Sequence, residues 1–213
     1  MSEVRTALAE QFDTLEQQEE ASRLGLWTFL ATEVLFFGGL FTAYVIYRHA
    51  YPQAFAEASR HTSLLYGTIN TAILLTSSLT MALAVHAAQE SRSKSLFRFL
   101  LATIVLAVGF LVVKGLEYHE HFADHLVPGA AFALAARPKT QLFFWLYFTM
   151  TGLHGIHVLV GIGVLSVLAW ISSRLHFSSE YHTPLEMAGL YWHFVDIVWV
   201  FLYPLLYLID RNV

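Results

Sequence analysis

Two ionisable side chains, His193 and Asp196, interrupt an otherwise apolar stretch over residues 189–209. They are three residues apart, so on an α-helix they lie on one face and can contact each other. A carboxylate and an imidazole in such a stretch are costly unless they pair or face other protein groups. We therefore expect these two side chains to contact each other, or to contact His154 or His157, and to fasten this helix to its neighbours.

A single carboxylate, Glu33, interrupts the first long apolar span, over residues 24–47. At a rise of about 1.5 Å per residue, it is expected near the middle of a membrane. An intramembrane carboxylate is a functional candidate, here as a proton-responsive or chemically modifiable group. A neutral acid that hydrogen-bonds to a neighbouring helix explains it equally well, and both interpretations stay open.

His154 and His157 are also three residues apart within an apolar span. This spacing is compatible with ligation of a metal or a haem. Such centres need further ligands, however, and the other intramembrane histidines are His86 and His193 only, while the chain has no cysteine. We therefore expect packing with hydrogen bonds, and no metal site in this chain.

Two other polar groups have simpler explanations. Asn70 shares a helix face with Ser77 and Thr80, which predicts hydrogen bonds between helices. The segment from Glu117 to His125 is rich in carboxylates and imidazoles, but its spacing matches no defined ligand motif. We expect it to be a hydrated, helix-terminating segment at the start of a long loop that ends at Gln141, with Glu117 in a structural polar contact.

The elements that must position these groups are membrane helices. The chain is 56% hydrophobic and 13% charged, with a mean hydropathy of +0.55, which excludes an ordinary soluble domain. The predicted fold class is all-α, a polytopic membrane protein with five transmembrane helices in a bundle. The spans are expected at about 24–47, 64–86, 96–116, 142–170 and 188–209, within one membrane domain, 24–213.

An acidic tail precedes this domain. Residues 1–23 hold two basic and six acidic side chains, so this segment is not attracted to anionic lipid or to nucleic acid. It could form a short amphipathic helix or remain solvated. Basic residues are divided six against six between the two sides of the membrane, so they do not decide orientation. The short basic link after the second span slightly favours a cytoplasmic N-terminus.

Five segments resemble, in order, the cytochrome c oxidase subunit III family of the haem-copper oxidases: 32–37, 70–78, 114–118, 151–158 and 191–203, the last preceded by Glu186. The resemblance covers residues 24–209. In the family's pattern, Glu33 falls on an acid that reacts with carbodiimides. Longer members have seven helices, and this chain looks like the short bacterial form that begins at their third. The family's lipid-filled cleft would then need another subunit as its missing wall.

The resemblance implies a non-catalytic subunit that binds neither haem nor copper, both being held by partner subunits. Its expected partners are the catalytic subunit I, subunit II, a small subunit IV and membrane lipid. It would stabilise subunit I and support proton uptake through bound phospholipid. It also implies the bacterial inner membrane, with the N-terminus cytoplasmic and the C-terminus outside.

Three alternatives remain. The chain could be subunit III of a quinol oxidase, or an accessory subunit of a nitric oxide reductase, because this subunit does not reveal the electron donor. It could be a small proton-coupled transporter that uses Glu33, His193 and Asp196, although no inverted repeat is evident. It could also be a haem-binding enzyme that uses His154 and His157.

Overall fold

The computed structural model describes residues 11–134, 137, 139–174 and 182–209, and these residues contain helices and no strands. Five of the helices are long and apolar enough to cross a membrane, which confirms the predicted all-α membrane fold. The helices are α1 (Leu15–Ala50), α2 (Pro52–Arg60), α3 (Leu64–Gln89), α4 (Ser93–Ala123), α5 (Thr140–Arg174) and α6 (Thr183–Tyr207).

The first helix, α1, begins well before the predicted apolar span. The hydroxyl of Thr14 caps it by accepting a hydrogen bond from the Gln17 amide at 3.2 Å, and Glu16 lies in its first turn. Its 36 residues extend about 54 Å. Part of the acidic tail is therefore a continuation of the membrane helix. The helix ends before Pro52, since a proline disfavours helical geometry in the residue before it.

Helix α2 lies between the first two predicted spans, in a segment for which we predicted no helix. Pro52 occupies its first turn, and Phe55 and Ala58 are buried. The hydroxyl of Ser59 donates a hydrogen bond to the Ile209 carbonyl at 3.1 Å. The prediction failed because the helix buries only one narrow apolar face. Through the hydrogen bond of Ser59, α2 connects the end of α1 to the end of α6.

Helices α3, α4, α5 and α6 form a four-helix bundle, with contacts between successive helices and between α3 and α6. Helix α1 lies outside it, against α5 and α6. Large aromatic side chains fill the bundle, with Phe110 and Trp199 edge to face at 4.9 Å between ring centroids. Gly161 allows the ring of Trp192 to approach, since a Cβ there would lie 2.6 Å from that ring.

The fourth helix continues past its predicted end at residue 116. Glu117 and His121 therefore belong to α4 and are buried, which makes the predicted hydrated loop wrong for both residues. The helix ends at Ala123, and the following segment folds back so that Leu126 and Phe132 are buried. Hydropathy alone could not show this extension, because the added turns carry polar side chains, of which Glu117 forms an ion pair inside the bundle.

Candidate functional site

A buried ion pair lies inside the bundle, towards the end at which α4 and α6 terminate. The Nζ of Lys114 is 2.9 Å from Glu117 Oε2, and both side chains are almost fully buried. The same Nζ donates to the hydroxyls of Tyr147 at 2.9 Å and Tyr207 at 2.5 Å. The Tyr207 hydroxyl in turn donates to Glu117 Oε2 at 3.0 Å. One ammonium group thus connects α4, α5 and α6.

Protein groups accept hydrogen bonds from all three donors of the Lys114 ammonium. An ammonium has three N–H donors, and here they face one carboxylate and two phenol oxygens. The nitrogen also lies 4.6 Å from the ring centroid of Tyr147 and 5.3 Å from that of Trp199. Burial of a charge is tolerated when it is paired in this way. We did not identify this cluster from the sequence, although Lys114, Glu117 and His121 share one helix face.

The polar face of α3 matches its prediction in part. Ser77 accepts a hydrogen bond from Trp192 Nε1 at 3.1 Å, and Thr80 pairs with Thr103 at 2.8 Å. Asn70 is fully buried, but in the described part of the chain neither its oxygen nor its nitrogen has a hydrogen-bond partner. The predicted interhelical bonds are thus present for the two hydroxyls and not for Asn70.

Glu33 lies near the middle of α1 and pairs with His157 on α5. The distance from Glu33 Oε2 to His157 Nε2 is 3.0 Å, and the two side chains are 17% and 16% exposed. His157 Nδ1 lies 2.8 Å from the Leu153 carbonyl, which can only accept, so this nitrogen carries hydrogen. One further proton then lies between Nε2 and the carboxyl group, on either partner. The contact is neutral when the carboxyl group of Glu33 carries this proton, and it is ionic when the imidazole of His157 carries it.

His154 is fully buried, and its Nε2 lies 3.1 Å from the Val195 carbonyl on α6. Its Nε2 therefore donates, while both nitrogens of His157 face the partners just described. Three of the four ring nitrogens thus face protein groups, an arrangement that favours packing over haem ligation. In the residues described, no group of three or more metal-ligating side chains comes together.

His193 and Asp196 form no hydrogen bond or ion pair with each other, with His154 or with His157, contrary to our expectation. Instead the Nδ1 of His193 lies 2.8 Å from the Ser78 hydroxyl, so α6 is fastened to α3. Ser78 is also the polar neighbour of Asp196. Asp196 is 4% exposed, and neither of its oxygens has a hydrogen-bond partner in the described part of the chain. Of these two residues, only His193 therefore forms a hydrogen bond that connects α6 to a neighbouring helix.

Glu186 lies in the first turn of α6, where a carboxylate interacts favourably with the helix dipole. It accepts a hydrogen bond from Gln89 Nε2 at 3.1 Å and contacts His182 Nε2 at the same distance. These contacts connect the beginning of α6 to the end of α3.

A groove of about 460 Å³ lies between α1, α5 and α6. Its walls are mainly apolar and include Leu26, Phe29 and Val164. At its polar end, the Thr183 hydroxyl donates to Glu19 Oε1 at 2.9 Å. The groove thus combines an apolar channel with a polar end, as the binding of an acyl chain requires.

The comparisons with known proteins agree on one family. The family profile described as "Cytochrome c oxidase subunit III" matches residues 11–210. "Cytochrome c oxidase subunit 3" of Thermostichus vulcanus is 33% identical over 207 residues, which cover 97% of this chain and 95% of that protein. The proteins of the same name from Formosania lacustris and Loxodonta africana are 33% and 32% identical, over 89% of this chain and 70% of each relative.

Proposed function

This chain belongs to the cytochrome c oxidase subunit III family, and from that premise we propose that it is a non-catalytic subunit that stabilises the catalytic subunit I. The family places it in an oxidoreductase complex of a membrane, together with other oxidase subunits. Haem and copper belong, in this proposal, to the partner subunits.

The observation that carries the proposal is the buried cluster around Lys114. A catalytic group must be able to reach a substrate, whereas this ammonium directs all three donors at Glu117, Tyr147 and Tyr207. The histidines of α5 are similarly engaged by protein groups. The polar interior therefore supports the role of a rigid scaffold whose outer faces pack on lipid and on other subunits.

Support for proton uptake through bound phospholipid comes from two neighbouring features. The Glu33–His157 pair can hold a proton, and its side chains are partly exposed. The groove between α1, α5 and α6 suits an acyl chain. We propose that lipid in this groove keeps α1 in place, so that the pair stays beside the bundle.

The finer assignments follow the resemblance. We propose subunit I, subunit II and a small subunit IV as partners, in a bacterial inner membrane with a cytoplasmic N-terminus. Cytochrome c is the proposed electron donor, with a quinol oxidase as the alternative. Identification of a copper site in the copurifying subunit II would favour cytochrome c, and its lack would favour the quinol.

The test is to compare the complete oxidase with an oxidase prepared without this chain. We expect unchanged haem bands and a similar initial rate of oxygen reduction, but a faster loss of activity during turnover. Loss of the haem bands on removal of the chain alone would contradict the non-catalytic role. An equal lifetime of both preparations would contradict the stabilising role.

A further inference from the structure

A cavity of about 330 Å³ lies between the beginning of α4 and the end of α5. The described residues that line it are two cationic side chains, three serines and one aromatic ring, with no carboxylate among them: Ser93, Lys94, Phe97, Arg98, Ser172 and Ser173. The hydroxyls of Ser172 and Ser173 donate to carbonyls of their own helix, so the two cations are the donors left for a ligand. None of the polar groups discussed above lines it. A cavity with this lining suits an anion.

Among the described residues, no acid forms an ion pair with the two cations of the cavity. Lys94 and Arg98 are one helical turn apart and exposed, and neither forms an ion pair in the described part of the chain. Glu90, the nearest acid in the sequence, contacts Arg92 and His86 instead. Two cations without a described ion-pair partner therefore face the same space, and they attract anions.

The surroundings of the cavity are those of a membrane interface. Trp170, which is 57% exposed, lies one turn before the serines of α5, and exposed tryptophans are enriched at the level of lipid headgroups. Phe97, Leu101 and Val105 are exposed on the same face of α4 as the two cations. An apolar stripe thus runs from the basic cavity along the helix into the membrane.

We propose that this cavity binds the phosphate of an anionic phospholipid, with the acyl chains along the stripe of Phe97, Leu101 and Val105. Arg98 can donate two parallel hydrogen bonds to phosphate oxygens, and Lys94 adds a point charge. The apolar stripe distinguishes a lipid from a free phosphate ion. A zwitterionic lipid carries its own compensating cation and should bind more weakly. This site does not depend on the function proposed above.

The test measures the lipid that stays bound to the purified complex during exchange into detergent, with phosphatidylglycerol and phosphatidylcholine as probes. Each removed charge should weaken phosphatidylglycerol binding roughly five-fold, so the double variant K94Q/R98Q should bind it about 25-fold more weakly. The exchanged variant K94R/R98K should retain it. R23Q/R60Q is the matched control, because it removes two exposed arginines that do not line the cavity.

Equal retention of phosphatidylglycerol by the wild-type complex and K94Q/R98Q would overturn the proposal, as would an equal loss in R23Q/R60Q. Equal affinity for the two lipids would overturn the preference for an anion. Displacement of the lipid by inorganic phosphate would identify a free-phosphate site instead. Persistence of bound lipid in excess phosphate is the expected result. All these measurements read bound lipid, so they remain informative whichever electron donor the oxidase uses.

Discussion

At the scale of single residues, the contacts of Lys114 have a direct energetic consequence. Its partners Glu117, Tyr147 and Tyr207 are buried, so none of them can turn to water when the ammonium is lost. Removal of one member of a buried pair leaves an uncompensated charge, which is far more costly than removal of both. The cluster therefore couples three helices through one side chain.

We expect Lys114→Met to lower the free energy of unfolding by about 3–5 kcal/mol, because the Glu117 carboxylate would stay buried without its partner. The double variant K114M/E117L should recover much of that loss. Thermal unfolding of the purified complex in detergent measures both effects. Arg92→Met is the control, since its pair with Glu90 is exposed and contributes less than about 1 kcal/mol. Equal losses in Lys114→Met and Arg92→Met would contradict the account.

The Glu33–His157 pair leads to a prediction of chemical reactivity. A hydrophobic carbodiimide should modify Glu33, which is 17% exposed, and should spare the fully buried Glu117. Glu33→Gln should abolish the labelling and leave assembly largely intact, because the amide can still hydrogen-bond to His157. Peptide mapping of the labelled complex decides between the sites. Labelling at Glu117 or Glu186 with Glu33 unmodified would contradict this prediction.

At the scale of helices, two glycines of α5 offer a matched comparison. Gly161→Ala should destabilise the protein by about 1–3 kcal/mol, because the new Cβ would overlap the buried ring of Trp192. Gly163→Ala is the control, since a Cβ at this position meets no atom within 4 Å. Thermal unfolding of both variants gives the comparison. An unchanged melting temperature in Gly161→Ala would show that α5 and α6 are not in the contact described.

The five membrane helices could be predicted because hydropathy identifies long apolar segments without any tertiary information. The ends of these helices could not be predicted, because they depend on contacts that hydropathy does not report. Examples are the cap formed by Thr14 and the buried ion pair of Glu117. Helix α2 was missed for a similar reason, since its single apolar face is short. The spacing of three residues between Lys114 and Glu117 is compatible with an ion pair on one helix, but the tyrosine partners of Lys114 belong to α5 and α6. Such distant partners cannot be read from one segment.

At the scale of the whole molecule, α1 and the helices of the bundle present apolar outer faces. Leu35 on α1, Val105 on α4 and Val167 on α5 are more than half exposed. In a membrane these faces meet lipid or other subunits, and the family assignment implies that some of them meet other oxidase subunits. In the described part of the chain, the main contacts of α1 are with α2, α5 and α6. Helix α1 is therefore the membrane helix whose position depends most on what surrounds the chain.

We propose that this chain is a subunit of a haem-copper oxidase and holds no redox centre itself. The most direct measurement is purification through an affinity tag on this chain, with identification of every copurifying chain and an absorption spectrum. We expect the catalytic subunit to copurify and to account for all of the haem absorbance. The same chain expressed alone should show no haem band. Purification without partners, or a haem band in the isolated chain, would contradict the claim.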